Sequence, residues 1–233
     1  AVQLWPKPAI ESTLLAITYG EETTAEFIRE VARLEIIEDI SAVSVEVAKM
    51  GLGIPTPPKY PKEPDFSIII PITAHNKKEL AVKEELVQDL IERMNKSSEH
   101  KNRIQLTDFD FFAACVGEKV RMFRDLPNVI TPLVEYSGLT WVGTYAPPEN
   151  LGILIKEAGE LFKEYDIPAF IYMKIMKASH YGIFRPIIRY KKELEESRIT
   201  QFVKDMLEIC LKHGCIPYRS EEHTSELQSP NTI

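Results

Sequence analysis

Between Lys177 and Tyr190 the chain reads KASHYGIFRPIIRY, which gathers a histidine, two arginines, two tyrosines and a lysine around one glycine and one proline. Those residue types could serve three ends. His180 could ligate a metal or move a proton near neutral pH. Arg185 and Arg189 could each grip a carboxylate through two parallel hydrogen bonds. The run could also be a polar turn and nothing more. Read as a strand, IFRPIIRY points Ile183, Arg185, Ile187 and Arg189 one way and Phe184, Pro186, Ile188 and Tyr190 the other. The strand before it sets Phe170, Tyr172, Lys174 and Met176 against Ile171, Met173 and Ile175. With helices on one face of such a sheet, Tyr172, Lys174, Arg185 and Arg189 share the other. There they meet water, one another, or a ligand.

Other reactive side chains carry less. The sequence has no G-x-G-x-x-G, P-loop, H-E-x-x-H, G-x-S-x-G or paired C-x-x-C. His75 follows a strand as a capping or surface residue, and His100 sits in the polar run KSSEHKN, which reads as a solvated loop. The three cysteines, Cys115, Cys210 and Cys215, lack metal-ligand spacing and read as buried free thiols of a reducing compartment. A cytoplasmic location follows as the expectation.

The elements that must position these groups come from periodicity. STLLAITYG (12–20) is a strand, EETTAEFIREVARLE a helix burying Phe27, Ile28, Val31 and Leu34, and ISAVSVEVAKMG (40–51) a second strand. Five prolines between 55 and 64 make GIPTPPKYPKEP a loop. FSIIIPITAH (66–75) is a buried strand. The helix after it turns Leu80, Leu86, Val87, Leu90, Ile91 and Met94 inward. A helix over 108–126, a strand over 137–147 and a helix opened by Pro148 follow. Two strands joined by a tight turn at Tyr181-Gly182 come next, then an amphipathic helix stopped by Gly214. The expected fold is α+β: a ferredoxin-like antiparallel sheet with helices packed mainly on one face.

Composition agrees with a globular domain, at 44% apolar and 27% charged residues over 233. A net charge of −7 without a basic stripe argues against nucleic acid. No run reaches the roughly 18 apolar residues of a membrane span. The last fifteen residues, RSEEHTSELQSPNTI, lack periodicity, and RSEEHTSELQSP resembles the conceptual translation of a short-read sequencing adapter. On that reading 219–233 is a non-native tail, and His223 with its acidic neighbours is not a site.

The stretch SGLTWVGTYAPPENLGILIKEAGELFKEYDIPAFIYMKIMKASHYGIFRPIIRYKK, with EICLKHGCIPYR after it, resembles the C-terminal cap domain of FAD-linked oxidases. That superfamily includes glycolate oxidase and D-lactate dehydrogenase flavoproteins and the vanillyl-alcohol oxidase and cresol-oxidising enzymes. LWPKPAIESTLLAITYGEETTAEFIREVARLEI is similar to the start of that cap. The resemblance spans 1–218. It implies a substrate domain whose N-terminal, FAD-binding half lies upstream, and an oxidation of an alcohol, 2-hydroxyacid or phenolic substrate. An electron acceptor or companion subunit, and a homo-oligomer, fit the same picture.

Many hydroxyacid-oxidising members carry a histidine, a Gly-Asp-Gly-Asn loop and a second histidine near a metal. Here His180 stands at the first histidine and Gly182 at the first glycine, but Arg185 takes the second histidine's place. A guanidinium cannot ligate a cation, so no metal is expected. The resemblance then implies His180 at the substrate or handling a proton, and Arg185 as anion clamp. Tyr172, Lys174, Tyr181 and Arg189 are the further substrate-binding candidates. The rival expectation is a non-enzymatic ferredoxin-like module that holds a ligand or dimerises through its sheet face, or a purely structural domain.

Overall fold

The computed structural model describes residues 9–37, 39–47, 63–107, 138–176 and 179–218. The expected helix over 108–126 with Cys115, most of the proline-rich loop and the tail 219–233 lie outside the described residues.

The chain first makes β1 (Ile10–Thr18), α1 (Glu21–Arg33), β2 (Asp39–Ser44), β3 (Phe66–Ala74), α2 (Lys77–Lys96) and β4 (Ile104–Thr107). It then makes β5 (Gly138–Trp141), β6 (Thr144–Ala146), α3 (Leu151–Glu164), β7 (Phe170–Met176), β8 (Gly182–Tyr190), α4 (Lys192–Lys212) and β9 (Ile216–Pro217). One antiparallel sheet runs β4-β1-β3-β2-β7-β8-β6-β9, with β5 also on β8. The α+β expectation therefore holds. With β5 and β6 taken as one interrupted strand, the described elements of each half form a β-α-β-β-α-β unit, and the second reverses the strand order of the first. The two units meet where β2 pairs with β7.

Apolar periodicity explains why the helices share one face. Helix α4 buries Ile199, Phe202, Met206 and Cys210, spaced three or four apart. Helix α3 buries Leu154, Ile155, Ala158, Leu161 and Phe162. With α1 and α2 they pack onto Ile68, Ile70, Ile72, Ile40, Ile171, Met173, Phe184 and Ile188 of the sheet as one core. The Phe162 and Phe202 rings meet at 5.0 Å. Asn76 caps α2, its Oδ1 accepting from the Glu79 N–H at 2.9 Å.

Four local expectations need correction. Leu86 of α2 is 39% exposed rather than inward; the buried stripe is Val87, Leu90, Ile91 and Met94. The alternating run 40–51 leaves the sheet after Ser44, whose hydroxyl donates to Ala169 O and accepts from the Ile171 N–H. Between β7 and β8 the positive φ belongs to Ser179, at 57°, while Gly182 is already in the strand. His100 is not a solvated loop residue: it is 4% exposed. Its Nδ1 lies 3.1 Å from Thr23 Oγ1 and its Nε2 2.9 Å from Glu26 Oε2, which ties the turn before β4 to α1. A polar run shows no periodicity, so only the tertiary contact reveals that burial.

The α3–α4 contact ends in an ion cluster. Lys212 Nζ donates to both Glu157 oxygens at 2.9 and 3.0 Å, and His213 Nε2 lies 3.0 Å from Oε2. Lys212, and then His213, hold the Glu157 carboxyl below its ordinary 4.5. A folded value below the unfolded one makes this pairing stabilising above pH 4.5 and weaker as pH falls through the lowered value. Glu157→Gln is therefore expected to lower Tm slightly at neutral pH. The gap to the parent should narrow as pH falls below 4.5 and through the lowered value, as thermal melts across pH would record.

Candidate functional site

The face of the sheet away from the helices carries two different surfaces. One half is apolar: Val43, Val47, Phe170 and Ile187 are buried together, with Leu139, Trp141 and Tyr172 packed on them. The other half is aromatic and cationic, centred on Arg185.

Strand register builds that centre. Tyr172 of β7 pairs with Arg185 of β8, and Val43 of β2 with Tyr172. On the other side of β8, Trp141 pairs with Ile187 and Thr144 with Phe184. Pro186 offers no N–H, which is why the strand opposite is interrupted there; Val142 donates instead to Pro186 O at 3.0 Å. Gly143 therefore falls opposite Arg185. Its own carbonyl accepts from the Tyr218 N–H at 3.2 Å. Tyr172, Arg185, Gly143 and Tyr218 thus form one row across four neighbouring segments.

Glycine in that row has a steric cause. A methyl at Gly143 would run into the Tyr218 ring, so the absent side chain is what lets the ring lie across the strand. Lying there, the Tyr218 hydroxyl accepts from Arg185 Nε at 2.6 Å. The guanidinium carbon sits 5.5 Å from the Tyr218 ring centre and 5.7 Å from that of Tyr172, within cation–π range. Among the described residues, the contacts of Arg185 are thus a hydroxyl and two rings, with no carboxylate in the set. Tyr172 continues the network, its hydroxyl 3.3 Å from Ser41 Oγ. Tyr145 packs on Tyr218 at 5.1 Å, and Tyr181 meets Tyr145 edge-on at 5.7 Å. Burial pushes the Tyr218 phenol above its ordinary 10.0, and the nearby Arg185 charge only partly offsets that.

Three predicted residues are therefore gathered: Tyr172 and Arg185 touch, and Tyr181 joins them through Tyr145 and Tyr218. Arg189 lies on the same face over the Phe170 ring, 4.8 Å from its centre. Lys174 is half-buried two residues beyond Tyr172 on the same face, in the row of Ser41 and Ile183. His180 is exposed in the β7–β8 turn and makes none of the contacts that hold the cluster. Sequence reasoning missed Tyr218, Tyr145 and Gly143. A signal was present for Tyr218, since a helix-stopping Gly214 followed by Cys-Ile-Pro-Tyr allows a short returning strand.

Gly143→Ala is expected to expel the Tyr218 ring from the row, at about 1–3 kcal/mol of stability. Tyr218 would then ionise nearer the ordinary 10.0, because the loss of burial outweighs the loss of Arg185. Alkaline absorbance titration, with Tyr218→Phe as reference, reads that shift.

A cleft of about 310 Å³ lies elsewhere, on the helix side, lined by Glu21, Phe66, Ile155, Phe162 and Lys163 among others. None of the sequence-predicted residues lines it. Among the described residues no group of three or more His, Cys, Asp or Glu could hold a metal ion. Nor, among them, is any helix long and apolar enough to cross a membrane.

No protein-family model matches the sequence, and no curated protein does. Solved structures do match in fold. A p-cresol methylhydroxylase with substrate bound superposes with a TM-score of 0.71 at 12% identity, over 92% of this chain and 46% of that one. A 4-ethylphenol oxidase from Gulosibacter chungangensis, in an isoeugenol complex, gives 0.63 at 13% identity over 94% and 47%. An alkyldihydroxyacetonephosphate synthase gives 0.59 at 15% over 95% and 43%. The likeness is one of fold, and the chain spans less than half the length of each of these proteins.

Proposed function

We propose that this chain is the substrate-side domain of an FAD-dependent oxidoreductase that oxidises an alcohol, 2-hydroxyacid or phenolic substrate. The observation that carries the reading is Arg185, a half-buried cation held by tyrosines on the sheet face opposite the helices. Support for the class comes from the fold it shares with a p-cresol methylhydroxylase and a 4-ethylphenol oxidase. Most of the FAD contacts would come from a domain outside this chain.

The donor set fits a flavin and its substrate. Planar rings and a guanidinium offer stacking surface and positive charge to an electron-rich ring edge or a phenolate. When bound, FAD supplies the acceptor for the substrate's hydride. Arg185 would grip the substrate anion through its two-pronged Nη edge, since Nε already serves Tyr218. Tyr172 and Tyr181 would wall the substrate, with Lys174 and Arg189 adding positive charge beside it. His180 would take or return the substrate proton, reached from the turn where it is exposed.

The test uses the protein from the complete reading frame. It should purify with flavin absorbance, which a 4-alkylphenol, a 2-hydroxyacid or a primary alcohol should bleach under anaerobic conditions. A flavin-free protein, or one that no member of the panel reduces, sinks the enzyme reading. The exposed side chains Tyr145, Tyr181 and Ile216 on one edge favour the second reading, a non-enzymatic binding or dimerisation module. A concentration-dependent dimer without flavin would support that instead.

A further inference from the structure

Cys210 and Cys215 are both free and both buried, at 0% and 4% exposure. Their meeting is built by the end of α4. Gly214, at φ +75°, lets the chain turn back, and the Gly214 N–H donates to Leu211 O at 3.0 Å. The Cys215 N–H then donates to Cys210 O, also at 3.0 Å. This pair of bonds closes a helix with a left-handed residue, and it brings the side chains flanking the turn together. Any apolar pair would fill that contact. Here both members are thiols, both buried on the two sides of that turn.

We propose that Cys210 and Cys215 are a reversible redox site that closes to an intrachain disulfide. The oxidant is a small disulfide. One cysteine, as thiolate, attacks it, so that the oxidant's S–S bond breaks, a mixed disulfide forms and one small thiol leaves. The second cysteine then displaces the remaining half, forming Cys210–Cys215 and releasing a second thiol. Two cysteine thiols are oxidised, one small disulfide is reduced, and both protons end on the released thiols. Cys215 is the better placed to attack first: it lies past the helix end beside the exposed Ile216 and is 4% exposed, against 0% for Cys210. Access comes through the helix end, whose flanking Leu211 and Ile216 are exposed. The bridge would fix the chain three residues before Tyr218, and so anchor the segment that holds Arg185.

Peptide mapping of the whole chain tests this. The reduced protein is incubated with excess 2-hydroxyethyl disulfide, remaining thiols are alkylated, and trypsin is added without reductant. Cleavage after Lys212 separates the two cysteines, so the expected product is peptide 205–212 joined to peptide 213–219, lighter than the unlinked sum by two hydrogens. Dithiothreitol should return both to alkylatable form. Recovery of the two peptides unlinked, whether alkylated or carrying half of the oxidant, overturns the proposal. So does a bridge from either of them to Cys115.

Discussion

Arg185→Ala, made in the flavin-bearing protein of which we propose this chain to be half, is expected to lower kcat/KM by roughly 10²–10³-fold. That corresponds to about 3–4 kcal/mol, the typical loss when one preorganised donor is taken from developing or bound negative charge. The fall should appear with phenols and hydroxyacids and be much smaller with neutral alcohols, because the lost partner is an anion. Arg185→Lys keeps the charge but not the fork, so its activity should lie between the two. Tyr218→Phe separates position from charge: the ring stays over Gly143 while the bond to Nε is lost. Its effect should be smaller than that of Arg185→Ala. Equal activity of parent and Arg185→Ala on every anionic substrate would refute the clamp.

Phe184→Ala should produce the largest loss of stability, about 3–5 kcal/mol. Phe184 is fully buried, next in the chain to Arg185 but on the opposite face of β8, in the core under the helices. Its carbonyl accepts from Thr144 Oγ1 at 3.2 Å, so the ring and its peptide fix the same strand pair that places Gly143. A domain of this size is stable by roughly 5–15 kcal/mol, so the urea midpoint should fall sharply with little change in slope. Adjacent residues on one strand should thus fail differently: one in chemistry, the other in folding. A Phe184→Ala protein that melted with the parent would mean that β8 does not carry the core.

Alternation made most of this legible. The period of two in β7 and β8 assigned each side chain to its face, and the assignments of Tyr172, Lys174, Arg185 and Arg189 hold in the sheet. Turn chemistry was less readable: Ser179 rather than Gly182 takes the positive φ, because Gly182 sits in β8 with the Lys174 carbonyl close beside it. The short strands β4 and β9 escaped notice because four and two residues are too few to show a period. A return of the chain after Gly214 was legible, but the role of Tyr218 at its end was not. What it does depends on the empty place at Gly143, 75 positions earlier, and no local pattern reports an absence in a distant strand.

The junction of β2 with β7 has a consequence for symmetry. Each is the second strand of its own unit, and they pair antiparallel, as two copies of a half-length chain would across a two-fold axis. Such a homodimer would repeat every feature of its face. The continuous chain is released from that constraint. In the first unit β3 holds the place that β8 holds in the second, yet it turns Ser67, Ile69, Pro71 and Thr73 to this face and no cation. Among the described residues, covalent joining has made the sheet a matched pair in backbone and an unequal one in charge, with Lys174, Arg185 and Arg189 on the second unit and no cation on the matching strand β3.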